Sequence, residues 1–283
     1  MIRIGTCSWK YDSWRGLVYT DKAQINYLEE YSKHYNTVEI DQWFWSLFEP
    51  SKVVLPSKKI VEEYNYSTPD DFLFTIKVPN AITLTHFYSK SKTDPLKPNP
   101  HFLSIDLFKE FYAALKPLIK KIGCLIFQFE YLNKQKMSSL SDFQNLLGNF
   151  FREINLKLPP IGIEIRNPNF LKESYFKFLK ELKIFPVFLE GYYMPPVGEV
   201  YNNFGYLIQD LAVIRLHGPD RKGIEKIANE NWNQIYVNKD KELDDVIWMI
   251  NELQNNEVDL FVNVNNHFEG SAPLTIKKLK AKL

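Results

Sequence analysis

The sequence predicts an α/β fold: eight parallel strands closed into a single (β/α)8 barrel over residues 1–283, with extended βα loops on the C-terminal face. Three observations lead there. Eight short runs rich in β-branched and aromatic residues are almost continuously apolar, as strands covered on both faces must be. Amphipathic helical stripes separate most of them. An open doubly wound sheet would place a glycine-rich phosphate turn after the first strand, and none is present.

The runs fall at 2–7, 37–41, 72–78, 122–128, 161–166, 184–190, 212–217 and 259–265. Between them, Leu107, Phe108, Phe111, Tyr112, Leu115, Leu118 and Ile119 recur at three- and four-residue steps and predict one helix. Leu140, Phe143, Leu147, Phe150 and Ile154 predict a second, and Leu243, Val246, Ile247, Ile250 and Leu253 a third. Segments 79–100, 190–211 and 218–238 each follow a strand and read as long loops, the first made turn-prone by Pro95, Pro98 and Pro100. Returns from helix to strand are short, so the extra chain gathers at the C-terminal strand ends, where barrels build their sites.

A length of 283 residues suits one such barrel, which commonly takes about 250. Lys and Arg total 35 against 34 Asp and Glu, so no global field draws the chain to nucleic acid or an anionic membrane, and any anion site must be local. The two cysteines, Cys7 and Cys124, lie inside expected strands, which speaks against a disulfide framework and for a reducing compartment. Met1-Ile2-Arg3-Ile4-Gly5 runs directly into a strand without the pattern of a signal peptide. No window reaches the roughly 18 consecutive apolar residues of a membrane helix. The expectation is a soluble cytoplasmic protein with no membrane partner.

Residues two apart on a strand share a face. The late strand positions therefore pair Glu39 with Asp41, Thr75 with Lys77, Ile126 with Gln128, Glu164 with Arg166, Arg215 with His217, and Asn263 with Asn265. Buried charge is costly unless paired or open to a cavity, so this gathering predicts a polar mouth. Glu39, Lys77, Glu164 and His217 are the catalytic candidates. An ion-pair network closing the barrel top is the competing structural explanation. Trp9, Tyr11, Trp14, Trp43, Phe44, Trp45, Tyr192 and Tyr193 flank the mouth, as core or as stacking surfaces for a base or sugar.

Ligand contacts are expected from Trp9, Asp41, Gln128, Arg166, Arg215, Asn263, Asn265, Asn266, Glu269, Gly270 and Ser271. Arg215-Leu216-His217-Gly218-Pro219 ends the seventh strand. Asn265 to Pro273 leads into the last helix, with Ser271 as N-cap and Pro273 in the first turn, a pattern suited to holding phosphate on helix N–H groups. His34, His86, His101, His217 and His267 are scattered, with no metal-binding spacing, so neither metal nor cofactor is expected. Cys7 reads as a small buried hydrophobe rather than a nucleophile.

These strand ends resemble those of the YecE-like family, domain of unknown function 72. The similarity is carried by Ile4-Gly5-Thr6-Cys7-Ser8-Trp9 with Trp14 and Gly16, Tyr35 to Ile40, and Phe74 to Pro79 with Ile82-Thr83. It continues in Leu125 to Phe129, Ile163 to Pro168, Arg215 to Pro219, and Asn265-Asn266 with Glu269 to Ala272. The segments lie in order over nearly the whole chain. The resemblance implies a TIM-like barrel and brings no specific activity. The barrel is also similar to that of the endonuclease-IV-like group, whose several histidine metal ligands this chain lacks. Asp41-Gln42-Trp43-Phe44-Trp45-Ser46 stands where the family commonly has an Asn-Ser-Thr-Phe-Tyr-Arg type of run, and His267 replaces a frequent Asp.

The leading expectation is a metal-independent enzyme acting on a phosphate-bearing or nucleotide-like small molecule. Arg166, Arg215 and the start of the last helix would hold the anion, with Glu39 or Glu164 as acid or base. Lys77 would stabilise charge or form a Schiff base. A hydrolase using Glu39 and Glu164 as a glycosidase pair, and a nucleotide or nucleic-acid binding module, are the alternatives.

Overall fold

The computed structural model describes residues 1–48, 50–88, 95–154 and 156–283. Its eight parallel strands are β1 (Ile2–Cys7), β2 (Thr37–Ile40), β3 (Leu73–Lys77), β4 (Ile122–Gln128), β5 (Ile161–Glu164), β6 (Phe185–Gly191), β7 (Leu211–Gly218) and β8 (Asp259–Val264). They follow one another around the barrel in chain order, and β1 closes it by pairing with both β2 and β8. All eight lie where the apolar runs predict them. The fifth stops at Glu164 rather than Arg166, because the chain turns there into Asn167-Pro168, and Pro168 has no N–H for a ladder.

The helices among the described residues are α1 (Tyr27–Ser32), α2 (Lys58–Tyr66), α3 (Asn80–Thr83), α4 (Ile105–Ala114), α5 (Leu140–Glu153), α6 (Glu173–Glu181), α7 (Val197–Phe204), α8 (Arg221–Ala228), α9 (Asp240–Asn255) and α10 (Ala272–Lys280). Ser104 and Ser139 cap α4 and α5, accepting from the N–H groups of Leu107 and Asp142 at 3.3 and 3.0 Å. The stripe from Leu107 to Ile119 changes form within itself. Its α-helix ends at Ala114, and Pro117 leads into 3-10 turns over Lys116–Lys121 that still bury Leu118. All three expected loops contain helices: the four-residue α3 lies within 79–100, α7 within 190–211 and α8 within 218–238. None is longer than eight residues, so the apolar stripes are brief. In the loop 79–100, residues 89–94 lie outside the described residues.

One apolar layer lies between strands and helices, and a second fills the lumen. Cys124, Ile126, Val187, Leu211, Val213 and Phe261 form the lumen cluster. The two-residue period of a strand continues this lining upward. Above Leu211 and Val213 come Arg215 and His217, above Ile126 comes Gln128, and above Phe261 comes Asn263. An apolar floor thus rises into a polar upper layer, all of it at the C-terminal ends.

Candidate active site at the barrel mouth

Arg215 is the centre of the upper layer, 1% exposed, between Glu39 and Glu164, which are both fully buried. Its Nε donates to Glu39 Oε2 at 2.7 Å and its Nη2 to Glu39 Oε1 at 2.6 Å, a bidentate fork. Nη1 donates to Gln128 Oε1 at 3.1 Å and also to Glu164. Asn263 Nδ2 adds donations to Glu39 at 3.2 Å and to Thr75 Oγ1 at 2.9 Å. Arg166 Nε reaches the other oxygen of Glu164 at 3.1 Å. Burial works against ionisation of Glu164, but Arg215 and then Arg166 prevail and hold its carboxyl below the ordinary range.

Lys77 is placed differently. Its side chain is buried, its Nζ lies 3.8 Å from the centroid of the Phe44 ring, and among the described residues it forms no ion pair. Burial first, then the Arg215 charge, lowers its pKa to about 8, against the opposing pull of Glu39, Asp41 and Glu164. Asp41 is raised by burial and by neighbouring Glu39. Burial, then Arg215 and Arg166, pushes His217 well below its ordinary value, so the ring is neutral at pH 7. Its Nε2 faces Cys7 Sγ at 3.7 Å, and its buried Nδ1 finds no partner among the described residues. The Cys7 thiol is pushed well up by burial and by Glu39.

On the rim, Arg166 stacks over the Tyr192 ring at 4.6 Å, and the same ring lies 5.8 Å from that of His217. Gly191 (φ +133°) and Gly218 (φ +75°) make this packing possible. A Cβ on Gly191 would stand 2.3 Å from the Gly218 carbonyl oxygen.

The expected site residues separate into three groups. Glu39, Asp41, Lys77, Gln128, Glu164, Arg166, Arg215, His217 and Asn263 converge on the mouth or the layer beneath it. Asn265, Asn266, Glu269, Gly270 and Ser271 build the start of α10. Asn265 Oδ1 accepts from His267 N at 2.9 Å and Asn266 Oδ1 from Ala272 N at 2.9 Å. Glu269 accepts from Lys239 N at 3.0 Å, Lys278 Nζ at 2.6 Å and Thr275 Oγ1 at 2.7 Å. Ser271 occupies the N-cap position, but its hydroxyl makes no cap bond. Trp9 stands apart, buried and edge-on to Tyr64 at 5.0 Å. Phe44, beneath Lys77, is the contributor that sequence reasoning names only as one aromatic among several. Nothing in its spacing marks it as a partner for a cation.

Cys7, Glu39 and His217 offer ligand atoms within 4.8 Å of one another. They come from three separate strands, so no local motif announces them.

The geometry defines a TIM-type barrel whose mouth is organised by a buried Glu–Arg–Glu bridge. A family model described as "Protein of unknown function DUF72" matches residues 3–283, and the chain belongs to that family. It is 26% identical to the UPF0759 protein YunF of Bacillus subtilis over 290 residues, 96% of this chain and 91% of that one. It is 28% identical to YecE of Escherichia coli over 175 residues, 62% of this chain and 52% of the relative. Crystal structures of DUF72 proteins share the fold. That from Enterococcus faecalis has a TM-score of 0.69 at 22% identity, covering 100% of this chain and 95% of the other. That from Thermotoga maritima has a TM-score of 0.65 at 18% identity, covering 99% and 98%.

Proposed function

We propose that the mouth is an enzyme active site for a phosphate-bearing or nucleotide-like ligand, with Lys77 as the reacting group. The observation that carries this reading is the Lys77 amine, buried on Phe44, without an ion pair among the described residues and with its pKa near 8. At pH 7 about a tenth of such an amine is unprotonated, far more than for an ordinary lysine, and this is the fraction that nucleophilic and general-base lysines use. It would attack a carbonyl carbon; loss of water then gives an imine, with Asp41, its pKa raised by burial and by Glu39, as the acid. Arg166, with 26% of its side chain exposed, supplies the accessible guanidinium for an anionic group. Arg215, Glu39 and Glu164 act by holding the layer beneath, since their polar groups are engaged with one another. No metal enters these steps.

A two-carboxylate hydrolase fits less well. Glu39 and Glu164 accept from one shared guanidinium instead of facing each other across an open cleft. A binding module without catalysis draws support from exposed rings after the second and third strands, where Trp45 and Tyr88 lie 5.8 Å apart.

The experiment is reductive trapping. The protein is incubated with a panel of phosphorylated aldehydes and ketones and sodium borohydride, digested, and mapped by mass spectrometry. The expected adduct sits on the peptide holding Lys77 and disappears in Lys77→Ala. Labelling spread over surface lysines, unchanged by that substitution, refutes the assignment. Ligand affinity without any adduct, weakening steeply with salt, transfers support to the binding module.

A further inference from the structure

We propose that Cys7, Glu39 and His217 form a binding site for a borderline-soft divalent ion, zinc or cobalt(II), in the floor of the mouth. This goes beyond the Lys77 reading and does not rest on it. Cys7 and Glu39 are register partners on β1 and β2, which aims their side chains together. His217 enters from β7, two residues above Arg215. The three ligand atoms lie within 4.8 Å of one another, and Sγ and Nε2 are already 3.7 Å apart. Two ligands at about 2.3 and 2.0 Å from a tetrahedral ion stand roughly this far from each other, so little movement is needed to admit one.

Burial and charge also favour the site. His217 is 7% exposed, Cys7 1% and Glu39 0%, so each ligand is held by packing on a rigid strand. The buried Nδ1 of His217 has no partner among the described residues, which leaves the imidazole underused by the surrounding protein. Glu39 Oε2 accepts from both Arg215 Nε and Asn263 Nδ2, whereas Oε1 accepts from Arg215 Nη2 and keeps a second lone pair. The Cys7 proton goes to solvent as the ion binds, so within the ligand set the thiolate and Glu39 match the ion's two positive charges. The mixed sulfur, nitrogen and oxygen donors select zinc or cobalt over magnesium or calcium. Three protein ligands leave one tetrahedral position for water or substrate, the arrangement of catalytic rather than structural zinc.

The test uses cobalt(II) alone as the probe on the full chain, stripped with chelator and desalted. We expect about one ion per chain with tetrahedral visible bands and a near-ultraviolet thiolate-to-cobalt band. Cys7→Ser should remove the near-ultraviolet band, and His217→Ala should weaken binding by more than about 100-fold. Cys124→Ala, within the apolar lumen, should leave both unchanged, and circular dichroism establishes that each variant is folded. A weak octahedral spectrum in the folded parent chain overturns the site, as does a thiolate band that survives Cys7→Ser. Borohydride trapping repeated in chelator separates the two proposals: failure of the cobalt test leaves the Lys77 adduct untouched, and the reverse holds as well.

Discussion

Replacing Arg215 by methionine tests the organisation of the mouth most directly. Arg215 is 1% exposed and both carboxylates 0%, so its loss strands buried charge out of reach of water. Glu164 keeps Arg166 and Glu39 keeps Asn263, so neither is left without a partner. The loss should therefore match that of one broken buried pair, about 3–5 kcal/mol, rather than twice that. In thermal unfolding of a chain this long, this corresponds to a fall of roughly 5–9 °C. The pH dependence carries a definite sign. Glu164 sits below its ordinary range in the parent chain. Its contribution is thus present above about pH 4.3 and lost as pH falls through the lower folded value. Without Arg215 that contribution is gone and the Glu164 carboxyl protonates at higher pH, so the gap between variant and parent should narrow towards acid. The triple variant Arg215→Met, Glu39→Gln, Glu164→Gln removes the stranded charges and should recover most of the loss. Urea and thermal melts by circular dichroism give both comparisons. A single variant within 1 kcal/mol of the parent, or a triple variant no better than the single, would refute the account of the bridge.

Lys77 has its folded pKa lowered to about 8, so its reaction with acetic anhydride, followed by mass spectrometry, should rise with a midpoint near pH 8. A midpoint near the ordinary lysine value of about 10.4 would remove the basis for its chemistry. Because that pKa lies below the unfolded value, the cost of the buried charge is complete below pH 8 and is relieved towards the unfolded pKa. Gly191→Ala should cost about 2–4 kcal/mol, since the new Cβ meets the Gly218 carbonyl at 2.3 Å in a backbone region closed to other residues. Gly16→Ala, also at positive φ but with nothing within 4 Å among the described residues, should lose only about 1 kcal/mol. Equal losses in the two melts would mean that the close approach of Gly191 to Gly218 does not matter.

The barrel was legible because its strands are covered on both faces, and double burial leaves a mark that needs no knowledge of neighbours: short unbroken apolar runs such as Ile122 to Phe127. The same two-residue period placed Arg215 with His217, and Glu39 with Asp41, before any contact was known. Helix α7 escaped notice because eight residues carry barely two turns of pattern, and Pro195-Pro196 before it reads as a loop.

Partner choice lay beyond the sequence. Arg215 reads equally well as an anion grip or as the centre of a bridge. Only closure of the barrel brings it against Glu39, 176 residues away, and Glu164, 51 away. The same closure sets Lys77 over Phe44 with no carboxylate bound among the described residues, and brings His217 to Cys7 across 210 residues. Periodicity is local, and reports which face of a strand a residue occupies. Ion pairing and pKa depend on distances of a few ångströms between distant segments, and those arise only when the sheet closes on itself.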